Sequence, residues 1–253
     1  MQSLKKRMKA GENLIGCFIM LPSASVTEMV AYAGFDFVIL DTEHGAATPE
    51  TLENQLRAAE AAGVPALVRT VGMTAGEILR ALDAGASGIL VPHVCTAQEA
   101  ASLAEAAHYP PYGIRGLATT ARAGKHGLVK LADHLKNAYE NTIVLVQVED
   151  ARALDDVPAI AKAKNVDGVF IGPADLSISL GHPGNPGHPD VVAAIDKAVS
   201  EIVAAGSSPS TFARSPSEVG DLRKRSFPVA VFSSTLIFTQ ALSGMVREVR
   251  GNG

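Results

Sequence analysis

Eight short runs of apolar residues recur along this chain, separated by longer stretches rich in Ala, Glu and Leu. The runs lack period-2 alternation, which predicts strands buried on both faces of a parallel sheet. Eight strand–helix units in 253 residues are typical of one (β/α)8 (TIM) barrel, with a doubly wound open sheet as the alternative. The predicted strands are LIGCFIM (14–20), FDFVIL (35–40), ALVRTV (66–71), GILVPHV (88–94), TIVLVQVE (142–149), GVFIGP (168–173), SPSTFA (208–213) and PVAVFSS (228–234).

Residues typical of helix starts and ends support the same alternation of strands and helices. Thr48 before Pro49 and Thr74 before Ala75 predict helix starts, and Gly85 predicts a helix end. No linker, repeat or low-complexity tract interrupts the alternation, so we expect a single domain over residues 1–253. The Pro/Gly-rich segment GHPGNPGHP (181–189) is predicted to be a loop that leads into a helix. Its two histidines, His182 and His188, are expected to be capping or solvated residues rather than metal ligands.

Composition excludes several classes of partner. The net charge of -4 gives no basic field, so a nucleic-acid partner is not expected. No apolar run approaches the ~20 residues of a membrane span, so no membrane association is expected either. The two cysteines, Cys17 and Cys95, lie far apart and indicate no disulfide framework, which favours a reducing, cytoplasmic setting.

Several predicted strands end in ionisable or amide side chains. In a parallel barrel the carboxyl ends of all strands meet at one face, which carries the active site. The side chains collected there by this criterion are Asp41, Glu43, His44, Arg69, His93, Gln147, Glu149 and Asp175. The alternative for the last two acids is structural: Asp175 as a helix N-cap and Glu149 as a favourable charge near a helix start.

The residue types narrow the chemistry. Two carboxylates suit a hard divalent ion such as Mg²⁺ or Mn²⁺, whereas no His or Cys spacing typical of structural zinc occurs. His44 lies three residues after Asp41, and the two could form an oriented acid/base dyad. A histidine bonded to backbone at a turn is the structural alternative. A Schiff-base enzyme would need a lysine at a strand end, and no predicted strand ends in one.

Taken together, GFDFVILDTEHG, LVRTV, GASGILVPHV, YPPYGIRG, VLVQVED and VDGVFIGPADLSISLGHPGNPGHP resemble the metal-dependent pyruvate aldolases of the 4-hydroxy-2-oxoheptanedioate and 2-dehydro-3-deoxyglucarate aldolase family. The resemblance runs from about residue 3 to residue 206. It implies reversible aldol cleavage of a 4-hydroxy-2-oxo acid to pyruvate and an aldehyde, and a divalent cofactor (Mg²⁺, Mn²⁺ or Co²⁺) bound by Glu149 and Asp175. Pyruvate would chelate that ion, Arg69 would stabilise the enolate, and His44 with Asp41 would handle protons.

The resemblance implies further roles. Backbone N–H groups in the turn formed by Gly172, Pro173, Ala174 and Asp175 would bind the substrate carboxylate, with Gln147 as a polar neighbour of the metal. Asp83 matches an acid that reaches a neighbouring subunit's site. Family members assemble as homohexamers, trimers of dimers with exchanged C-terminal helices, so we expect a homo-oligomer.

The likeness fades over the seventh and eighth strands, SSPSTFA and PVAVFSS. We expect Phe232 to narrow the pocket and Ser233 or Ser234 to replace the hydrogen bonds of a lost carboxylate, which leaves the preferred aldehyde open. Two rival functions also stay open at this point. A related lyase could act on a coenzyme A thioester or another 2-oxo acid, using the basic segment RGLATTARAGKHG (115–127) as a nucleotide patch. The other rival is a non-catalytic barrel that binds a 2-oxo acid.

Overall fold

A computed structural model describes residues 2–251, and in it eight parallel strands close into a barrel in the order β1 to β8. The strands are β1 (Leu14–Ile19), β2 (Phe37–Asp41), β3 (Ala66–Arg69), β4 (Gly88–Val91), β5 (Ile143–Val148), β6 (Gly168–Ile171), β7 (Ser208–Phe212) and β8 (Val229–Ser233). Strand β8 closes the ring by pairing with β1, Leu14 opposite Val229. The (β/α)8 prediction is therefore confirmed, and the open-sheet alternative is wrong.

Helices follow the strands, and threonine caps begin three of them. Thr48, Thr74 and Thr96 each accept a hydrogen bond from the backbone N–H three residues later, which satisfies a group with no intrahelical partner. The helices are α1 (Leu4–Lys9), α2 (Ala24–Tyr32), α3 (Pro49–Ala61), α4 (Ala75–Asp83), α5 (Ala97–Ala107), α6 (Leu131–Asn141), α7 (Val157–Lys162), α8 (Pro173–Ser179), α9 (Pro189–Ala204), α10 (Glu218–Lys224) and α11 (Ser234–Arg250), with short 3-10 turns at Arg122–Gly127 and Ala151–Ala153.

The barrel interior explains where the charged strand ends point. Alternate residues of a strand face the same side, so the inward row of β2 runs Phe37, Ile39 and then Asp41. Strand β3 likewise places Arg69 after the inward Leu67. Apolar side chains fill the lower layers of the interior, and polar side chains occupy the layer at the carboxyl ends of the strands.

The same alternation corrects the expectation for the eighth strand. Phe232 faces outward and packs edge-on against Phe35, with ring centroids 6.1 Å apart, so it does not narrow the interior. Ser233 caps α11 through its hydroxyl, and Ser234 is buried at the start of that helix. The aromatic side chain that enters the interior from this edge is Phe212 of β7, which packs against the inner core.

Helix α11 leaves large apolar side chains in solvent. Leu242 is 63% exposed, Met245 65% and Val249 88%, and Ser234 is the one buried residue in the helix. Within residues 2–251, no helix combines the length and the apolar character that a membrane crossing requires.

Candidate active site

Asp41 and Arg69 form a buried ion pair at the mouth of the barrel. Asp41 is 2% exposed, and its two oxygens accept hydrogen bonds from Arg69 Nε (2.9 Å) and Nη2 (2.5 Å). The paired geometry fixes the guanidinium plane, which also lies over the Phe18 ring at 4.8 Å from its centroid. Arg69 Nη1 points at Glu43 Oε2, 3.1 Å away. Arg69 is thus held rigidly by two acids and an aromatic ring.

The predicted Asp41–His44 dyad is not present. Asp41 accepts the backbone N–H groups of Glu43 and His44 at 3.1 and 3.2 Å, so its carboxylate orients the turn and Arg69 rather than the imidazole. The His44 ring is 58% exposed, and its Nε2 lies 3.8 Å from Glu43 Oε2. The His44 ring is therefore exposed and lies near Glu43 rather than Asp41, and it is not among the side chains that line the cavity described below.

His93 connects two acids across the site. Its Nε2 lies 3.0 Å from Glu43 Oε1, and its Nδ1 lies 3.0 Å from Glu149 Oε1. The His93 backbone N–H also donates to Glu149 Oε1 at 3.0 Å. The residue adopts φ of 60°, a conformation that side chains other than Gly seldom take outside functional sites. This backbone shape turns both the N–H and the ring toward Glu149.

Glu149 is almost fully buried, at 3% exposure, and burial raises its pKa, with a further contribution from the negative charge of Asp175. Gln147 Nε2 donates to Glu149 Oε2 and lowers the pKa in part. A Cβ at position 172 would lie 2.8 Å from Glu149 Oε2, so only glycine leaves room for this carboxylate. Burial thus disfavours the charged form of the Glu149 carboxylate.

A divalent cation fits these residues. A buried carboxylate with a second carboxylate nearby is a donor set of the kind that hard cations bind. Gln147 Oε1 is buried and has no hydrogen-bond partner within residues 2–251, so this cavity-lining side chain retains one unused acceptor. Glu149 and Asp175 are the residues that would hold the ion.

A cavity of about 460 Å³ opens beside this network. It is lined by Arg69 and by the predicted substrate-binding residues Gln147, Gly172, Pro173, Ala174 and Asp175, all of which the structure brings together. Aromatic side chains in its lining include Phe18, Phe170 and Phe212, and the charged side chains of Arg214, Glu218, Asp221 and Arg225 line it as well. No lysine of the described chain lines it, which agrees with the prediction against a Schiff-base mechanism.

Helix α8 presents its first turn to the cavity. Gly172 is the N-cap, so Asp175 lies inside the first turn and is not the N-cap that the structural alternative required. The first intrahelical bond in this turn is made by the N–H of Leu176, to Gly172 O at 3.0 Å. The earlier N–H groups at Ala174 and Asp175 therefore remain available at the positive end of the helix.

Two predicted features lie away from this site. Asp83 ends α4 and bonds to Arg115 Nη2 at 2.6 Å, at the end of the barrel where strands begin. Arg122 and Lys125 of the basic segment both bind Glu60 beside the start of β3, also at that end. The segment therefore forms no nucleotide patch next to the cavity of its own chain.

Glu43 and His93 are the site residues to which sequence reasoning assigned no role. Both stood among the polar strand ends, so their position was visible in the sequence. The bridge that His93 makes between two acids was not, because it depends on the left-handed backbone at that residue.

Comparison with known proteins agrees with this geometry. The model of the family described as HpcH/HpaI aldolase/citrate lyase matches residues 14–234. The chain is 40% identical to a hydroxypyruvate/pyruvate aldolase of Pseudomonas aeruginosa, over 98% of this chain and 91% of that one. It is 36% identical to a 2-keto-3-deoxy-L-rhamnonate aldolase of Escherichia coli (strain K12), over 94% and 89%. A crystal structure of an HpcH/HpaI aldolase/citrate lyase family protein from Burkholderia cenocepacia J2315 superposes with a TM-score of 0.92 at 34% identity, covering 98% of each chain.

Proposed function

Because this chain belongs to the HpcH/HpaI aldolase/citrate lyase family, we propose that it is a divalent-metal-dependent aldolase. Its reaction is the reversible cleavage of a 4-hydroxy-2-oxo acid to pyruvate and an aldehyde, in one catalytic domain spanning residues 1–253. The observation that carries the proposal is the convergence of Arg69, Gln147 and Asp175 on one cavity beside the buried Glu149. The similar chains named as pyruvate aldolases support the same class of substrate.

The cofactor is Mg²⁺, Mn²⁺ or Co²⁺, held by Glu149 and Asp175. When bound, such an ion supplies Lewis-acid polarisation of a 2-oxo group. The raised pKa of Glu149, caused by burial, supports this role, because a cation stabilises the charge that the fold otherwise disfavours.

Arg69 provides fixed positive charge next to the substrate. A guanidinium has five N–H groups, of which Asp41 engages two and Glu43 faces a third. The remaining N–H groups can bind the oxygen on which negative charge develops as pyruvate becomes an enolate. Because the ion pairs hold Arg69 in place before reaction, no reorganisation is needed when that charge forms.

Proton transfer is assigned to His44. Its imidazole is 58% exposed and lies 3.8 Å from Glu43 Oε2, and imidazole is the side chain that most often serves as a general acid or base. In the cleavage direction it removes the proton of the 4-hydroxyl group, and in the synthetic direction it returns one. The N–H groups of Ala174 and Asp175, at the start of α8, bind the substrate carboxylate.

Assembly completes the site in this proposal. Asp83 lies at the opposite end of its own barrel, so it serves a site only if a neighbouring subunit brings it there. The apolar side chains that α11 exposes support a homo-oligomer, a hexamer of exchanged helices, in which a partner covers them.

The test is hydrogen exchange at the methyl group of pyruvate in D₂O, followed by NMR. We expect exchange with Mg²⁺ or Mn²⁺ and none with EDTA. Metal-independent exchange would contradict the cofactor assignment, and absence of exchange with every metal would favour a barrel that binds a 2-oxo acid without reaction. Lys125→Ala is the matched control, because Lys125 is bound to Glu60 at the other end of the barrel. Loss of exchange in that variant would instead favour the hypothesis of a lyase that acts on a coenzyme A thioester.

A further inference from the structure

The part of the cavity wall that follows β7 carries ionisable side chains that the proposed mechanism does not use. Arg214, Glu218, Asp221 and Arg225 line the cavity there. They lie beyond residue 206, where the sequence resemblance fades, so the resemblance assigns them no role. The pyruvate part of the substrate is assigned to the turn at residues 172–175. This wall is therefore available to the aldehyde part.

Arg214 enters the cavity from the end of β7. Alternate residues of a strand share a face, so Arg214 lies in the same row as Phe212, one step nearer the mouth of the barrel. The strand pairing continues past Phe212, because the Ala213 N–H donates to Val231 O at 2.8 Å. Phe212 packs against the inner core. Arg214 is thus the first charged side chain above the apolar layer on this strand.

Glu218 holds Arg214 by one edge of the guanidinium. Arg214 Nε donates to Glu218 Oε1 at 2.9 Å, and Nη2 lies 2.9 Å from the same oxygen. The Arg214 backbone N–H donates to Glu218 Oε2 at 2.9 Å. Asp41 holds Arg69 by the same edge. Within residues 2–251, Nη1 of Arg214 makes no hydrogen bond, so the edge formed by Nη1 and Nη2 is open to a second, bidentate contact.

On this wall, the buried polar atom that lacks a partner is a donor. Arg225 Nη2 is buried and has no hydrogen-bond partner in the described part of the chain. The two carboxylates already accept hydrogen bonds, Glu218 from Arg214 and Asp221 from Lys224 Nζ at 2.8 Å. A ligand that brings acceptors fits this wall best. A carboxylate only accepts, whereas a hydroxyl group also needs an acceptor for its proton.

We propose that Arg214 is a specificity-determining residue that binds a carboxylate on the aldehyde part of the substrate. The inference rests on the proposed aldolase function and names the class of aldehyde, a semialdehyde whose other end is an acid. Glu218 orients the guanidinium and partly neutralises its charge. The Arg214 side chain is 68% exposed, so the contact should favour an acid by about 10-fold, near the lower end for charge-assisted hydrogen bonds.

The test compares semialdehydes with neutral compounds of the same shape. Succinic semialdehyde is paired with 4-oxopentanal and glutaric semialdehyde with 5-oxohexanal, because a methyl ketone replaces the carboxylate in each neutral compound. With pyruvate and Mn²⁺, wild type should favour the acid of at least one pair by about 10-fold in kcat/KM. Arg214→Met should lower this acid-to-ketone ratio to near one. Arg214→Lys keeps the charge but not the fork, and its ratio should lie between the two.

Two further variants separate a direct contact from the general effect of charge. Glu218→Gln keeps an acceptor for Arg214 Nε and removes the negative charge, so the acid-to-ketone ratio should rise by about 2-fold. Arg223→Met is the matched control, because Arg223 lies on the same helix but does not line this cavity, and it should keep the wild-type ratio. The wild-type ratio should also shrink in about 1 M NaCl, since the Arg214 side chain is largely exposed.

Three results would overturn the inference. They are a ratio near one in wild type for both pairs, a wild-type ratio in Arg214→Met, and a loss in Arg214→Met for glyceraldehyde but not for the semialdehydes, which would indicate recognition of hydroxyl groups. Exchange of the pyruvate methyl protons in D₂O, measured on the same wild-type protein, distinguishes these results from failure of the proposed function. Exchange without a preference for acids contradicts only the role of Arg214. No exchange with any metal contradicts the aldolase, and this inference with it.

Discussion

The two sides of the barrel mouth are built differently. The ends of β2 to β5 carry Asp41, Arg69, Glu43, His93 and Glu149, joined into one continuous network of ion pairs and hydrogen bonds. The ends of β7 and β8 contribute an inward phenylalanine and a serine that caps a helix. The connected network fits the part of the reaction common to all substrates. The β7 side, where Phe212 and Arg214 both line the cavity, fits the part that differs among aldehydes.

The difference also concerns coupling. Each charged residue has at least two partners, so removal of one alters the position or charge of others, and effects of combined mutations will not add. Phe212 has no such polar partners and only packs. Mutations on the two sides should therefore differ in size and in kind.

Replacement of Arg69 by Ala should give the largest loss. We expect kcat for pyruvate-forming cleavage to fall by about 10³-fold or more, because fixed charge at a developing oxyanion is removed. Affinity for Mn²⁺ should remain nearly unchanged, since Arg69 contacts neither Glu149 nor Asp175 through any described hydrogen bond. Steady-state kinetics and calorimetric Mn²⁺ titration measure the two quantities.

Arg69→Ala also leaves Asp41 buried without its cation, so folding needs a check by circular dichroism. Arg69→Lys is the companion variant, because it keeps a charge but not the paired geometry. A large loss of Mn²⁺ binding in a folded Arg69→Ala protein would show that Arg69 belongs to the metal site instead.

Replacement of His93 by Gln tests the connection between the two acids. Without the imidazole, Glu149 loses one of the groups that orient it, and we expect metal affinity to fall by about 10- to 100-fold, as for other residues behind metal ligands. Saturating metal should restore most of kcat in this variant. Unchanged affinity would mean that the backbone N–H of His93, which any residue keeps, is sufficient. His126→Asn is the control for nonspecific histidine effects.

The strands and the face that carries the site were predictable, because apolar runs and polar strand ends are local features of the sequence. The pairing of side chains was not. The sequence identifies Asp41 as a site residue. That Asp41 pairs with Arg69 and not with the His44 ring depends on the directions of side chains on two strands. The error at Phe232 has a similar cause, since a strand position off by one residue changes the face on which a side chain lies.

Phe212 and Phe232 provide a direct test of the side formed by β7 and β8. Phe212→Ala removes a ring from the cavity lining and enlarges the cavity. We expect the ratio of kcat/KM for bulky over small aldehydes to rise by about 10-fold, the size typical of apolar pocket changes. Phe232→Ala should lower the free energy of unfolding by about 3–5 kcal/mol, because it empties an outer-core position, with no change in aldehyde preference. Kinetics with a paired set of aldehydes and urea unfolding distinguish these results. A changed aldehyde preference in Phe232→Ala would contradict the outward placement.

The smallest effect should appear in the pH dependence of stability without metal. Burial raises the pKa of Glu149 above its value in the unfolded chain, so its protonated form favours folding. That stability is fully present below the carboxyl pKa of the unfolded state and is lost as pH rises through the higher pKa of the folded state. In EDTA, the free energy of unfolding of Glu149→Gln should therefore increase relative to that of wild type as pH rises from about 4 to 7.

Asp150→Asn is the control of opposite sign for the pH experiment, measured by urea unfolding across the same range. Hydrogen bonds from Arg152 lower the pKa of Asp150 to about 2, so its contribution is present above the normal carboxyl range and is lost as pH falls. The difference in free energy of unfolding between Asp150→Asn and wild type should change only as pH falls below the normal carboxyl range.

Added Mn²⁺ should remove the lower stability of wild type relative to Glu149→Gln at neutral pH, because only the glutamate carries a charge that binds the ion. A Glu149→Gln curve parallel to wild type across pH 4 to 7 would mean that the carboxylate is stabilised by Gln147 and His93 alone, and that the charged side of the mouth needs no cation to be stable.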